Sequence, residues 1–390
     1  GLIRQTITTI LDGIQHTHDL PTLYIEAARY IGQKLGHDVA RLERERFVAD
    51  VELHKRLDEL IDLDTAIGPD GRVEHWLVAA QFYERASAVY DRRRDSEVSS
   101  ALILHSEPAL CLTNFASELQ GRGIFDEARR DAWEQATTAW EEFGATKLPT
   151  SVDGLQIHLN DLERVRRERE EADERLRGFI GDREEQLREQ KRAALNPQQR
   201  LAIDTPVGER TLQQMRLSAE AEQSLKITTD ELLADIDDDM RKEAAELIIK
   251  RDAARMEERF IQSYRNIVNY DYWLTYCQLE QTPEMTSVRQ DFHLAKQELN
   301  RDHITSDDPD HASAAEYYLK AFNTLAEFLE ENPHYGEEPY IVDDLLDEVK
   351  LYRRHVLQNQ PLPDDFPLRD FIEEWERKYQ PPAAPEARDN

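Results

Sequence analysis

The chain has 390 residues, with 49 Lys and Arg against 80 Asp and Glu, which gives a formal net charge of −31. This charge excludes general nucleic-acid binding, because such binding needs Lys and Arg to neutralise phosphates. The length predicts two or three units, and the 39% of hydrophobic residues is enough to bury cores. Only 14 glycines, with abundant Ala, Glu, Leu and Arg, favour helices over a β-rich or nucleotide-binding fold.

The first predicted domain, residues 1–150, consists of amphipathic helices. In LYIEAARYIGQKLG the apolar residues recur at helical spacing, and Gly36 supplies a helix stop. In HWLVAAQFYERASAVY, Trp76 and Tyr83 stand at two ends of one helical stripe, with small alanines between them. Large residues at this spacing fill a helix face and small ones admit a partner helix, which is typical of the first helix of a tetratricopeptide-type hairpin.

A fuller hairpin pattern follows in ALCLTNFASELQGRGIFDEARRDAWEQATTAWEEF, residues 109–143. Gly121 and Gly123 predict the turn between its two helices. The second helix, which contains Trp133, slips by about one position from the tetratricopeptide consensus. We therefore expect a tetratricopeptide-like hairpin and not a strict repeat.

The middle of the chain, residues 151–268, predicts a charged arm. Residues 155–195 carry a narrow apolar seam amid mixed charge, as in a coiled coil. A second seam starts at the capping sequence TTDELLADI and meets no Pro or Gly before Pro283. Either one helix of about fifty residues, about 75 Å long, or a shorter helix with one kink would carry this seam. We expect the two seams to pack antiparallel.

The stretch VNYDYWLTYCQLEQTP, residues 268–283, concentrates aromatic side chains. We interpret it as the end of the long helix, where the seam widens into the core of a third domain, residues 269–379; a ligand pocket is the alternative. The segment SAAEYYLKAFNTLAEFLEENP again looks tetratricopeptide-like, and residues 380–390 predict a disordered tail. Six aromatic residues are candidates for core or interaction roles: Trp76, Tyr83, Trp133, Tyr272, Trp273 and Tyr276.

Three stretches carry a resemblance to a known group of proteins. They are HSEPALCLTNFASELQGRGIFDEARRDAWEQATTAWEEFG, IVNYDYWLTYCQLEQT and LYRRHVLQNQPLPDDFPLRDF. The chain resembles, from about Leu20 to about Phe371, an uncharacterised family of large helical planctomycete proteins that often carry N-terminal membrane segments. The resemblance implies attachment to a membrane through a segment upstream of Gly1. It implies no catalytic or cofactor residues.

Motifs that would anchor a reaction are missing from the sequence. There is no GxxxxGK[ST], GxGxxG or HExxH, so phosphate-loop, dinucleotide and zinc-protease functions have no support. Cys111 and Cys277 lack zinc-ligand spacing and are expected to be buried thiols. The nearest metal-like groups are His16 and His18 with Asp19, and the loop acids Asp307, Asp308 and Asp310, for which we expect surface roles. No metal or cofactor is predicted.

The sequence as a whole predicts an all-α protein in which tetratricopeptide-like helical hairpins flank a long antiparallel coiled-coil arm. The function that fits best is a non-enzymatic scaffold or adaptor for unidentified protein partners, tethered to a membrane. An accessory subunit of a membrane-associated enzyme complex, without chemistry of its own, is the alternative. A hydrolase built on a helical scaffold ranks third.

Overall fold

A computed structural model of the protein describes residues 2–379 apart from 18–19, 36–40, 93–97, 153, 235, 306–311 and 338. The chain is 79% helical, which confirms the all-α prediction. Extended structure in the described ranges is confined to the strands β1 (Leu148–Pro149) and β2 (Gln156–Ile157) and a bridge between Ile67 and Val73. The tail predicted at 380–390 lies outside the described residues.

The chain folds into two compact units. Unit 1 contains Gly1–Ser151 together with Arg265–Asn390, and unit 2 contains Val152–Tyr264. The sequence analysis assigned residues 1–150 and 269–379 to separate domains, whereas the structure groups them in unit 1. Contacts between side chains far apart in sequence join the two segments, as where the rings of Trp133 and Tyr276 meet at 5.3 Å between centroids.

The first segment of unit 1 is a series of helices that pack on their neighbours. These are α1 (Leu2–His16), α2 (Pro21–Arg29), α3 (Arg41–Val48), α4 (Val51–Asp58), α5 (His75–Arg92), α6 (Val98–Gly121) and α7 (Glu127–Ala145). A π-helical turn, Tyr30–Lys34, continues α2. Helix α6 packs on both α5 and α7.

The turn between α6 and α7 lies where the sequence predicts it. Gly123 has φ 81°, a left-handed conformation that costs glycine little, and the N–H of Ile124 donates to the carbonyl of Leu119. The side chain of Asp126 then accepts from the N–H of Ala128 and caps α7. A buried apolar face on each helix holds the pair together: Phe115, Ala116, Leu119, Ala132, Trp133, Ala136 and Trp140.

The second segment of unit 1 is also helical. The helices that lie wholly within this segment are α14 (Tyr270–Glu280), α15 (Pro283–Asn300), α16 (Ala314–Glu331), α17 (Pro339–His355) and α18 (Arg369–Tyr379). Ser313 and Glu316 form a capping box that fixes the start of α16. The core between these helices is aromatic, with the ring of Phe322 at 5.3 Å from Phe292 and 5.0 Å from Phe366.

Unit 2 contains shorter helices than the sequence predicts for the arm. They are α8 (Leu162–Ile180), α9 (Arg183–Ala194), α10 (Pro197–Asp204), α11 (Leu212–Leu225), α12 (Thr229–Leu233) and α13 (Asp238–Val268), the last of which ends in unit 1. The predicted helix over 155–195 breaks at Gly181, which has φ 55°. The capping box predicted at TTDELLADI is present, with Thr228 as N-cap and Glu231 as its partner.

The prediction of one continuous helix of about fifty residues is wrong. Helix α13 has 31 residues: it begins at Asp238, after α12 has ended at Leu233, and Asn269 separates it from α14. Asn269 has φ 51°, and asparagine is one of the few residues other than glycine that adopts this left-handed conformation readily. The aromatic stretch is therefore the start of a separate helix, α14, and not the end of the long one.

Helices α8 and α13 run antiparallel and meet largely through charged side chains. Arg164 pairs with Glu257 at 3.0 Å near one end, and Arg175 pairs with Glu243 at 2.7 Å nearer the other. A small apolar cluster adds to these pairs: Leu176, Leu232, Leu233, Ile236, Ala244, Leu247 and Ile248. Because exposed ion pairs stabilise little, buried apolar side chains, among them this cluster, supply most of the packing energy.

We expect Leu176→Ala to destabilise unit 2 by about 2–5 kcal/mol, because the side chain is 1% exposed and its removal leaves a cavity. Leu201→Ala is the matched control in the same unit, since Leu201 is 62% exposed. Hydrogen exchange of the α8 and α13 amides measures the loss. All five tryptophans lie in unit 1, so their fluorescence transition should not move. Equal losses of stability in Leu176→Ala and Leu201→Ala would contradict the burial of Leu176 between α8 and its neighbours.

Candidate functional site

A surface groove of about 990 Å³ lies along α5, α6 and α7 in unit 1. Each helix contributes residues spaced three, four or seven apart, which lie on one helical face. From α5 these include Glu84 and Asp91, from α6 His105, Ala109 and Leu112, and from α7 Asp131, Glu134 and Glu142. Since α6 packs on both α5 and α7, the groove runs over α6 with a neighbouring helix on each side.

The floor of the groove is apolar and its sides are acidic. The buried or half-buried floor consists of Pro108, Ala109, Leu112, Ala139 and Phe143. Five exposed carboxylates flank it: Glu84, Asp91, Asp131, Glu134 and Glu142. The described residues that line the groove include no Lys or Arg. The groove therefore combines an apolar strip with a concentrated negative charge.

The pKa of Glu84 reflects the electrostatic environment of the groove. Loss of hydration raises the pKa of this carboxyl, Arg85 opposes the shift, and the negative charge of Glu142 adds to it. Glu84 lies on α5 and Glu142 on α7, so like charges repel each other across the groove. A cation placed between them would relieve this repulsion.

Pro108 shapes the floor without ending α6. Proline has no N–H, so the carbonyl four residues earlier, on Leu104, loses its partner within the helix. The hydroxyl of Ser87 on α5 donates to that carbonyl at 3.4 Å. His105 on α6 lies with Nε2 at 3.0 Å from Oδ1 of Asp91. These two contacts add to the packing of α5 on α6 along the groove.

The six aromatic residues singled out from the sequence do not line the described part of the groove. Four of them come together where α14 packs on α7: Tyr276 contacts Trp133 and Trp273, and Trp273 contacts Tyr272 at 4.8 Å between ring centroids. Trp133 is fully buried, while Tyr272, Trp273 and Tyr276 are half-buried.

The other two aromatic candidates lie elsewhere in unit 1. Tyr83 is buried on α5 at 3% exposure. Trp76 is half-buried beside His75, and its indole N–H donates to Oε2 of Glu118 at 3.1 Å. The structure therefore does not unite the six residues in one site.

A buried ion-pair network lies beside the aromatic group. Arg129 on α7 donates to Oε2 of Glu280 on α14 at 2.6 Å, and both side chains are at most 1% exposed. Arg289 pairs with Glu280 and with Asp344, each at 2.6 Å. Burial lowers the pKa of Arg129, while Glu280 opposes the shift. This network fixes α7, one wall of the groove, against the second segment of unit 1.

Both cysteines are buried, as the sequence predicts. The Sγ of Cys277 lies 3.4 Å from the hydroxyl oxygen of Thr113. Burial raises the pKa of Cys277 to about 12, so the reactive thiolate is scarce at neutral pH. This environment fits a structural thiol.

The metal-like groups found in the sequence do not form a site in the described residues. His16 lies with Nδ1 at 2.6 Å from the carbonyl oxygen of Asp12, a contact within α1. His18, Asp19, Asp307, Asp308 and Asp310 lie outside the described residues.

Comparison with known proteins adds no relative. No protein-family model, curated protein or solved structure matches the chain. Among the described helices, none combines the length and the apolar character that crossing a membrane requires.

The groove was missed in the sequence analysis, although a signal for it exists. Glu84 and Asp91 stand seven residues apart on α5, and Asp131, Glu134 and Glu142 share one face of α7. The chain contains 80 acidic residues, however, so a periodic acidic row does not stand out from the rest. Only the packing of α6 between the two rows distinguishes them.

Proposed function

We propose that the protein is a scaffold or adaptor whose groove along α5, α6 and α7 binds a basic amphipathic helix of a partner protein. The observation that carries this proposal is the apolar floor of α6 between two rows of carboxylates. An amphipathic helix presents apolar anchors at positions i, i+3 or i+4 and i+7, with charges beside them. Such a helix matches both the floor and the sides of the groove.

The charges and the floor would contribute differently to binding. Exposed carboxylates steer a cationic partner and select it over acidic ones, which acts mainly on the association rate and on specificity. Burial of apolar side chains over Leu112 and Pro108 would supply the affinity. A lysine or arginine between Glu84 and Glu142 would also relieve their mutual repulsion.

The wider architecture supports a binding role without chemistry. We interpret the α6–α7 hairpin as tetratricopeptide-like, and hairpins of this kind present grooves to partner helices. We interpret α8 and α13 as a short antiparallel coiled-coil pair that serves as a spacer. Attachment to a membrane, alone or as an accessory subunit of an enzyme complex, rests on the planctomycete resemblance and is a further part of this proposal.

The proposal is tested with a synthetic amphipathic helix that carries leucines on one face and lysines and arginines beside them. Fluorescence anisotropy measures its binding to the full chain. We expect Glu134→Lys with Glu142→Lys to weaken binding about tenfold or more, because like charges then face each other.

The control variant is Glu330→Lys with Glu331→Lys, which makes the same charge change at exposed positions on α16. This control should bind the peptide as the unaltered chain does. Equal weakening by both variants would show that net charge alone attracts the peptide, and the groove would lose its assigned role.

A further inference from the structure

A second cluster of polar side chains lies in unit 1, outside the groove. Glu74 and His75 stand at the start of α5, and Glu118 lies near the end of α6. Each offers one potential ligand atom, and these atoms all lie within 4.8 Å of one another. Glu74 and His75 are buried, and Glu118 is half-buried.

The imidazole of His75 has a buried nitrogen without a hydrogen-bond partner. His75 is 4% exposed, and Nε2 forms no hydrogen bond to any described residue. Nε2 lies 3.4 Å from Oε2 of Glu118, but the geometry of this contact is not that of a hydrogen bond. Buried polar atoms are nearly always satisfied in folded proteins, so this nitrogen points to a ligand that completes its coordination.

The two carboxylates are held in place by neighbouring donors. Arg122 donates to Oε1 of Glu74 at 2.8 Å, and Arg44 donates to Oε1 of Glu118 at 3.2 Å. The indole of Trp76 donates to Oε2 of Glu118. Each oxygen retains a free lone pair, because a carboxylate oxygen accepts more than one bond. Outer contacts of this kind orient the ligands of metal sites.

The chemistry of the donors selects the class of ion. One imidazole nitrogen with two carboxylate oxygens suits a divalent transition metal such as Zn²⁺, whereas Ca²⁺ and Mg²⁺ prefer oxygen ligands alone. Nε2 of His75, which has no hydrogen-bond partner among the described residues, offers the lone pair that such an ion needs. A neutral imidazole is the form that binds metals.

The cluster also has access from solvent. A cavity of about 830 Å³ is lined by Glu74, His75 and Glu118 together with Arg44, Asp70 and Arg122. An ion could enter through this cavity and keep a water molecule on the side that the protein does not occupy.

We propose that Glu74, His75 and Glu118 form a binding site for one divalent transition-metal ion of the Zn²⁺ class, with Nε2 of His75 and one oxygen of each carboxylate as ligands. The ion would join the start of α5 to the end of α6 and so clamp two helices of unit 1. Its binding does not depend on the function proposed for the groove.

The test is titration calorimetry of the chelator-treated full chain with Zn²⁺. We expect one ion per chain, and a loss of affinity of about tenfold or more in His75→Phe and, separately, in Glu118→Gln. His75→Phe keeps a ring in the buried space, and Glu118→Gln keeps the shape of its side chain, so one variant serves if the other fails to fold. The midpoint temperature of thermal unfolding should rise when Zn²⁺ is added to the unaltered chain, and it should not rise in those variants that fold.

The control is His303→Gln, which removes a histidine that lies 3.0 Å from Glu298, outside both the groove and the cluster. It should bind Zn²⁺ as the unaltered chain does. Absence of stoichiometric binding, or binding that persists unchanged in both His75→Phe and Glu118→Gln, would overturn the assignment and indicate exposed acidic residues as the origin of any uptake.

Discussion

Glu280→Gln is expected to lower the free energy of unfolding of unit 1 by about 3–5 kcal/mol. Glu280 is fully buried and accepts from Arg129 and Arg289, so the change leaves two guanidinium groups facing each other without their shared anion. A buried charge that loses its partner carries a large desolvation penalty. Denaturant unfolding followed by tryptophan fluorescence measures the effect on unit 1, because unit 2 contains no tryptophan.

The control for this prediction is Glu127→Gln, which removes the same charge from an exposed pair with Arg130. Its cost should stay within about 1 kcal/mol. The double variant Arg129→Met with Glu280→Leu should be less destabilised than the sum of its two single changes, because no buried charge of that pair is then left alone. Strict additivity would contradict a coupled buried pair.

Trp140→Ala is expected to cost unit 1 about 3–5 kcal/mol. Trp140 is 1% exposed, its ring stacks on Trp273 at 6.4 Å, and its indole N–H donates to Thr113 at 3.0 Å. The removal of its side chain leaves a cavity and takes one donor from the Thr113 hydroxyl, which also contacts Cys277. The loss should appear in denaturant unfolding, together with faster reaction of Cys277 with thiol reagents.

The matched variant for that prediction is Trp273→Ala. Trp273 is half-buried, so its removal should cost less than the removal of Trp140. A larger effect at Trp273 would place the centre of the aromatic packing on α14 and not on α7. Unchanged labelling of Cys277 in Trp140→Ala would contradict the shared environment around Thr113.

The helical character of the chain could be predicted from local sequence, because helix formation depends on residues three and four positions apart. The turn at Gly123 and the capping box of Thr228 and Glu231 are predictable for the same reason, because each depends on residues close together in sequence. The end of α13 is not predictable in this way, because an asparagine such as Asn269 does not by itself mark the end of a helix. Its left-handed conformation becomes clear only where α14 packs on α7.

The grouping of the two chain segments in unit 1 could not be predicted, since it depends on contacts such as that between Arg129 and Glu280. Nothing near either residue in the sequence distinguishes it from other charged residues. The cluster of Glu74, His75 and Glu118 has the same origin, because Glu118 meets His75 only through the packing of α6 on α5. The grouping and the cluster both depend on tertiary packing, which the spacing of residues along the sequence does not reveal.

A charge swap tests the groove most directly. The chain with Glu134→Lys and Glu142→Lys is titrated with the basic amphipathic helix and with a matched helix in which glutamates replace the lysines and arginines. We predict that the unaltered chain prefers the basic helix and that the altered chain shifts its preference toward the acidic helix, because specificity follows charge complementarity across the groove. If the ratio of the two affinities is the same for both chains, the groove along α5, α6 and α7 is not the binding site.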